Sequence, residues 1–154
     1  MEVIRNITEG RFGVEGEVYF GLFEKFISLS VEDDSIAYAE LCAAHLNSLS
    51  EKVILDLCRA SIRYCHDFLE NSGGHPKNFQ HPKEVLPLIY PSVLIVPSPE
   101  DPALPVVHLE LDCEWEEEHG MEWIVRGNEV LFVGAFHGVN PWSDFSEKKC
   151  WNYA

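Results

Sequence analysis

The residues from Val107 to Trp115 alternate strictly between apolar and polar side chains, and this pattern constrains the fold more than any other. The apolar side chains occupy the odd positions, Val107, Leu109, Leu111, Cys113 and Trp115. The even positions hold His108, Glu110, Asp112 and Glu114. Because successive side chains of a strand point to opposite faces of a sheet, the pattern predicts a strand with one face on a core and an acidic face in water.

Two further strands are predicted directly after this one. The segment from Glu116 to Gly120 breaks the alternation and indicates a turn or bulge, in which Gly120 is free to adopt a positive φ. Residues 121–126 and 129–133 then have strand character, and the two residues between them, Gly127 and Asn128, are typical of a tight hairpin. The sequence therefore predicts a three-stranded antiparallel meander.

Two consecutive helices are predicted in the middle of the chain. The first spans about Ser35 to Asn47, after three acidic residues that favour a helix amino terminus. The second begins at Ser48 or Ser50, either of which can cap it, and ends at Gly73 and Gly74. Its apolar residues recur at helical spacing along one face, with charged residues on the other, which predicts a surface helix lying on a sheet.

The remaining segments have weaker patterns. Residues 17–31 favour one or two strands with a break near Glu24 or Lys25, and an earlier strand is possible around Val3 or Phe12. Residues 84–90 favour a short helix and residues 93–96 a brief strand.

The predicted fold class is α+β, with an antiparallel sheet that ends in the three-strand meander and packs against the two-helix segment. At 154 residues the chain has the size of a single domain, residues 1–154, with a core at about residues 16–134. Residues 135–154 form an aromatic tail without a period, expected either to pack irregularly on the domain or to fray.

Charge and cysteine content narrow the possible partners and the compartment. The chain has 11 Lys and Arg against 26 Asp and Glu, a formal net charge of −15. Binding to nucleic acid phosphates is therefore not expected, whereas a basic protein is a suitable partner; solubility alone is the other explanation of the charge. Five cysteines, mostly in apolar patterns, indicate reduced buried thiols. With no secretory signal or membrane span in the sequence, the expected location is the cytoplasm.

No catalytic or metal-binding motif is found. Glu118 and His119 could form an acid–base pair, but no nucleophile or metal motif accompanies them, and a turn in which His119 hydrogen-bonds locally explains them better. The acids of the alternating strand form a row, which suits a solvated face better than a cation cage. No catalytic residue, metal or cofactor is assigned.

The candidate site is a surface for a protein partner. Five acids would steer and hold the partner, namely Glu110, Asp112, Glu114, Glu116 and Glu117. Trp123 or Trp142, if partly exposed, would anchor it, although burial in the core is the alternative for both.

The run CEWEEEHGMEWIVRGNEVLFVG, preceded by a two-helix segment, resembles a family of small bacterial domains of unknown function. These domains have a W-x-x-E-H-G motif between two strands, matched here by Trp115, Glu118, His119 and Gly120. The resemblance covers about residues 16–134 and offers no catalytic residues to transfer. Members are often found near toxin–immunity loci, so the resemblance implies an immunity role.

The leading hypothesis is a non-enzymatic, acidic, cytoplasmic protein-binding domain, of which an immunity-type inhibitor of a basic toxin is one form. The alternatives are a small metal-dependent or acid–base enzyme that uses Glu118, His119 and neighbouring carboxylates, and a structural accessory domain. The sequence leaves the oligomeric state open.

Overall fold

The alternating stretch forms the fifth strand of a seven-stranded mixed sheet, whose order in space follows the order in sequence. The structure is a computed structural model that describes residues 2–11 and 13–154, so the strand prediction at Phe12 lies outside the described residues. The strands are β1 (Ile4–Gly10), β2 (Gly13–Phe20), β3 (Lys25–Val31), β4 (Ile89–Val96), β5 (Val106–Cys113), β6 (Glu116–Arg126) and β7 (Glu129–Ala135). The helices are α1 (Ile36–Leu46) and α2 (Glu51–Ser72), with 3-10 helices at Gly21–Phe23 and Pro82–Leu88.

The predicted meander is confirmed as β5, β6 and β7, which pair as antiparallel neighbours at the end of the sheet. Gly127 supplies the positive φ of 60° in the tight β6–β7 turn. The apolar residues of β5 are buried against the helices, as the alternation predicts. Local periodicity therefore determines this half of the sheet.

The sheet is not wholly antiparallel, which corrects the predicted fold class. Strands β3 and β4 are parallel neighbours, paired from Ser28–Val93 to Val31–Val96. Both helices lie in the connection between these strands, and a parallel pair needs such a long crossover. The fold is thus α+β with a mostly antiparallel, mixed sheet.

Both predicted helices are present, and their ends are capped by side chains. Ser35 Oγ accepts the Tyr38 backbone N–H at 3.3 Å, and Ser50 Oγ accepts that of Val53 at 3.2 Å, so Ser50 caps α2. At its other end α2 stops at Gly73, whose φ is 73°. Of the described helices, none is both long and apolar enough to cross a membrane.

Two segments differ from their predicted boundaries. The helix predicted to reach Tyr90 is a 3-10 helix that ends at Leu88, and β4 already begins at Ile89, well before the predicted strand start at Val93. Between β2 and β3 the predicted break is a 3-10 turn, closed by Glu24 in the left-handed region with φ 53°. The β4 difference arises because Pro91 is accommodated in the strand, beside a register shift.

The tail packs on the domain, the first of its two predicted alternatives. Val139 and Phe145 cover a small cluster formed by Ile124, Leu131 and Phe132, which is separate from the main core. Residues 151–153 then run beside β7, where the Tyr153 N–H donates to the Val133 carbonyl at 2.8 Å. Val139 and Phe145 of the tail therefore cover the second cluster, whereas residues 151–153 lie between β7 and α2.

Candidate functional site

The W-x-x-E-H-G motif forms a wide bulge at the β5–β6 hairpin. Leu111 pairs with Met121 and Cys113 pairs with Glu116, so residues 117–120 stand opposite the single residue Asp112. Gly120 has a φ of 74°, and a Cβ atom there would lie 3.1 Å from the Leu111 carbonyl oxygen. The prediction of an irregularity with a positive φ at Gly120 is confirmed, and the bulge displays Glu117, Glu118 and His119 in solvent.

Glu116 organises this bulge from inside. Its side chain is only 6% exposed, and its carboxylate accepts the backbone N–H of Glu118 at 2.8 Å and that of His119 at 3.2 Å. The His119 Nδ1 atom lies 3.0 Å from the same carboxylate. Glu116 therefore turns inward, and its assignment to the partner-contacting surface does not fit its position.

The other predicted acids do form an exposed row along the hairpin. We define the acidic strip as Asp112, Glu114, Glu117 and Glu118, all exposed, with the half-buried Glu110 at its inner end. The Lys and Arg ion pairs between described residues involve other acids, namely Glu17, Asp56, Glu51 and Glu147. Moreover, residues 84–125 contain no lysine or arginine. The strip is thus a patch of negative charge without cationic side chains in its own part of the chain.

Tyr90 on β4 is an exposed aromatic residue beside the acidic strip. It is 44% exposed, pairs in register with Asp112, and donates its hydroxyl to Glu114 Oε1 at 2.5 Å. This hydrogen bond to the carboxylate raises the pKa of the Tyr90 hydroxyl. Tyr90 was not predicted as a site residue because it was assigned to the end of a helix; in the structure the burial of Ile89, Tyr90 and Pro91 alternates as in a strand, which leaves the Tyr90 ring exposed.

A shallow, open depression of about 440 Å³ lies next to the strip. Phe68 of α2 and residues 114–119 line it, so it combines one aromatic wall with a carboxylate rim. The ring of His119 contacts Glu116 rather than Glu118, and its side chain is 71% exposed. The depression suits a cationic side chain better than a sequestered small substrate, because it does not exclude water.

Trp115 and Trp123 are buried, whereas Trp142 is half-buried. Trp123 is fully buried against α2, where its indole N–H donates to Ser61 Oγ at 2.9 Å. Trp142 is half-buried and packs against the main core, and Trp115 is buried beside Tyr64 with their rings 5.8 Å apart. Trp123 therefore has no surface to offer a partner, which is the core alternative raised for it.

His108, expected on the solvent face, is buried together with Glu122. His108 Nε2 contacts Oε2 of Glu122, which also accepts the Val139 N–H at 3.2 Å, and Oε1 of the same carboxylate accepts the His137 N–H at 3.0 Å. The ring of Phe136 stacks over His108 at a centroid distance of 6.4 Å. Since both oxygens of this carboxylate have partners and the residue is fully buried, it fastens the tail and is closed to substrate.

The described residues form no metal-binding cluster, and most of the thiols are buried. Among the described residues, no three His, Cys, Asp or Glu side chains are grouped so that they could hold a metal ion. Four of the five cysteines are buried, and burial raises the pKa of the Cys113 thiol to about 12. Such a thiol is a poor nucleophile near neutral pH.

Comparison with known proteins identifies the family. The model of a family described as "Domain of unknown function (DUF6985)" matches residues 3–141, so the chain belongs to this family. The match extends on both sides of the predicted range of about residues 16–134. No curated protein and no solved structure shows significant similarity to the chain.

Proposed function

We propose that this DUF6985 member is a non-enzymatic protein-binding domain that holds a basic protein partner on its acidic strip. The observation that supports this function is the exposed row of Asp112, Glu114, Glu117 and Glu118, displayed by a bulge whose one buried carboxylate, Glu116, is used to build it. Outward acids held on a rigid hairpin need little ordering when a partner binds.

Electrostatics gives this surface a kinetic and a selective role. A chain with a net charge of −15 attracts cationic partners over a Debye length, about 8 Å at physiological ionic strength. The strip then fixes the partner's orientation, because it is the concentrated negative feature of the hairpin. The affinity should accordingly fall as salt is added.

Tyr90 supplies the aromatic contact that charge alone lacks. Tyrosine is enriched in binding hot spots because one rigid side chain offers both apolar area and a polar tip. Its position between the carboxylates of Asp112 and Glu114 suits an arginine or lysine of the partner, which can lie on the ring while pairing with an acid.

The acid–base enzyme is the competing proposal, and one observation favours it. His119 contacts Glu116 at the rim of the depression, as a general base and its orienting carboxylate would. However, the Glu116 carboxylate already accepts two backbone N–H groups, and the depression is open to solvent. We therefore rank binding above catalysis.

The biological form of this function is a proposal as well. The resemblance stated above implies an immunity role, in which the domain would neutralise a basic toxin in the cytoplasm of a bacterium. The strip is the surface that such an inhibitor would apply to a basic enzyme domain, because a toxin that acts on nucleic acid presents cationic side chains around its active site.

Capture of partners from a cell lysate at low and high salt tests the proposal. The bait is compared with two double variants of equal charge change, Asp112→Lys with Glu117→Lys on the strip, and Glu40→Lys with Glu70→Lys on the helices. A basic protein retained by the wild type and by the helix variant, released by salt and lost with the strip variant, is the expected result. A partner that is acidic, or that the strip variant retains, refutes the assignment.

A further inference from the structure

The two edge strands of the sheet, β1 and β7, are protected from pairing with another strand in different ways. At one edge β1 is irregular, with a register shift between Arg5 and Thr8 and with Asn6 in the left-handed region at φ 57°. Such irregularity discourages pairing with another strand. At the other edge β7 has backbone groups that are occupied by residues 151–153 of the tail.

Asn152 contacts β7 as a backbone peptide group would. Its side-chain Nδ2 donates to the Leu131 carbonyl at 2.8 Å, and its Oδ1 accepts the Val133 N–H at 3.3 Å. The Tyr153 N–H adds a bond to the Val133 carbonyl at 2.8 Å. Together these bonds reproduce the ladder pattern of an added strand over a short length.

Gly134 makes the close approach of the tail possible. A Cβ atom at this position would lie 2.5 Å from the Trp151 carbonyl oxygen, closer than real contacts allow. The tail therefore occupies the space that a side chain at position 134 would fill. A site that depends on one missing side chain can be closed by one substitution.

Helix α2 forms the opposite wall of the site. Arg63 donates from Nε at 3.0 Å and from Nη2 at 2.6 Å to the Tyr153 carbonyl oxygen. The Tyr153 ring lies 5.3 Å from that of Tyr64, and its hydroxyl donates to Asp67. Backbone, ring and hydroxyl of one tyrosine are thus each recognised, which is a degree of readout typical of a peptide site.

We propose that the β7–α2 groove, formed by Leu131, Val133 and Gly134 on one side and Arg63 and Tyr64 on the other, is a docking site for an extended peptide of the type Trp-Asn-Tyr. Residues 151–153 are its intramolecular occupant. The family match ends at residue 141, so the occupant belongs to a segment outside the matched family region, whereas every residue of the groove lies within it. An extended segment of the same chemistry, in another protein, is the partner that this groove fits.

The test uses the full chain with a weakened occupant and a peptide added in trans. The host is the double variant Asn152→Ala with Tyr153→Ala, and the probe is a fluorescent peptide of residues 148–154 with its cysteine changed to serine. Loss of two peptide-like bonds should free the groove, so the host binds the probe at least roughly tenfold more tightly than the wild type, whose groove is filled. Adding Gly134→Ala to the host should abolish this binding.

Each result decides the matter. Binding to the host that is blocked by Gly134→Ala and weakened by alanine at the Asn and Tyr of the probe supports the groove. Equal binding to wild type and host, or binding insensitive to Gly134→Ala, refutes it. If circular dichroism shows the host unfolded, Tyr153→Ala alone replaces it; a chain that unfolds there too shows that the segment is part of the fold and not a ligand. The acidic strip is untouched throughout, so the proposed function is tested separately.

Discussion

The hydroxyl of Tyr90 on β4 donates a hydrogen bond to the Glu114 carboxylate at the end of β5, across two neighbouring strands. This contact places an exposed aromatic ring within a row of acids. It links the strip to β4, which begins at Ile89 and not at the predicted Val93. The acidic surface is therefore a two-strand feature.

Substitution of Tyr90 tests whether the ring contacts a partner. Tyr90→Ala should weaken partner binding by roughly tenfold, because a rigid aromatic contact is lost, whereas Tyr90→Phe should keep most of the affinity. Both variants should keep the wild-type midpoint of urea unfolding, because the Tyr90 side chain is exposed. Calorimetry with the captured partner measures the affinities, and equal affinity of all three proteins would remove Tyr90 from the interface.

Gly120→Ala tests the bulge, and Gly73→Ala is its matched control. Both glycines have φ values near 74°, but a Cβ atom at Gly73 meets nothing within 4 Å, while one at Gly120 approaches the Leu111 carbonyl. Urea unfolding should show a loss of about 1 kcal/mol for Gly73→Ala from the backbone conformation alone and roughly 2 kcal/mol for Gly120→Ala. Equal losses would mean that the close approach of residue 120 to the Leu111 carbonyl does not affect the free energy of unfolding.

His108→Leu tests the buried pair. The change leaves the Glu122 carboxylate without its side-chain partner in a site sealed by the tail, so the free energy of unfolding should fall by about 3 kcal/mol. His75→Leu is the control, because His75 is exposed in the loop that follows α2, and it should cost below about 0.5 kcal/mol. Comparable losses in the two variants would contradict the role assigned to His108.

His108 also shows where prediction from the sequence reaches its limit. Alternation places His108 with the acids of the solvent face, and for Asp112 and Glu114 this is right. His108 is buried because residues 136–139 return over it, a contact between segments about 30 residues apart that no local period records. The meander and both helices were predictable because their patterns are local.

The candidate site was predictable in part for the same reason. The exposure of Asp112 and Glu114 follows from the alternation of residues 107–115, but Glu116 is indistinguishable in sequence from its neighbours in an acidic run. Its inward turn depends on the bulge, which brings the N–H groups of Glu118 and His119 to its carboxylate. The burial of Trp123 depends likewise on a partner distant in sequence, Ser61 of α2.

Thiol reactivity should separate one cysteine from the rest. Burial raises the pKa of Cys58 and Cys65 to about 11 and of Cys113 to about 12, and it also raises that of Cys42, whereas Cys150 is exposed. At pH 8 a thiol reagent should therefore modify one residue rapidly in the native protein. Cys150→Ser should abolish this phase, and urea should release all the remaining thiols. A fast phase that persists in the folded Cys150→Ser protein would contradict the burial of the other four thiols.

The salt dependence of partner affinity tests the central claim most directly. The partner retained at low salt would be titrated into wild type, the strip variant Asp112→Lys with Glu117→Lys, and the helix variant Glu40→Lys with Glu70→Lys at several salt concentrations. We predict that affinity for the wild type and the helix variant falls steeply with salt, while the strip variant binds at least roughly tenfold more weakly at low salt and shows a flatter dependence. Identical affinities and slopes for the strip and helix variants would show that the strip is an ordinary solvated face.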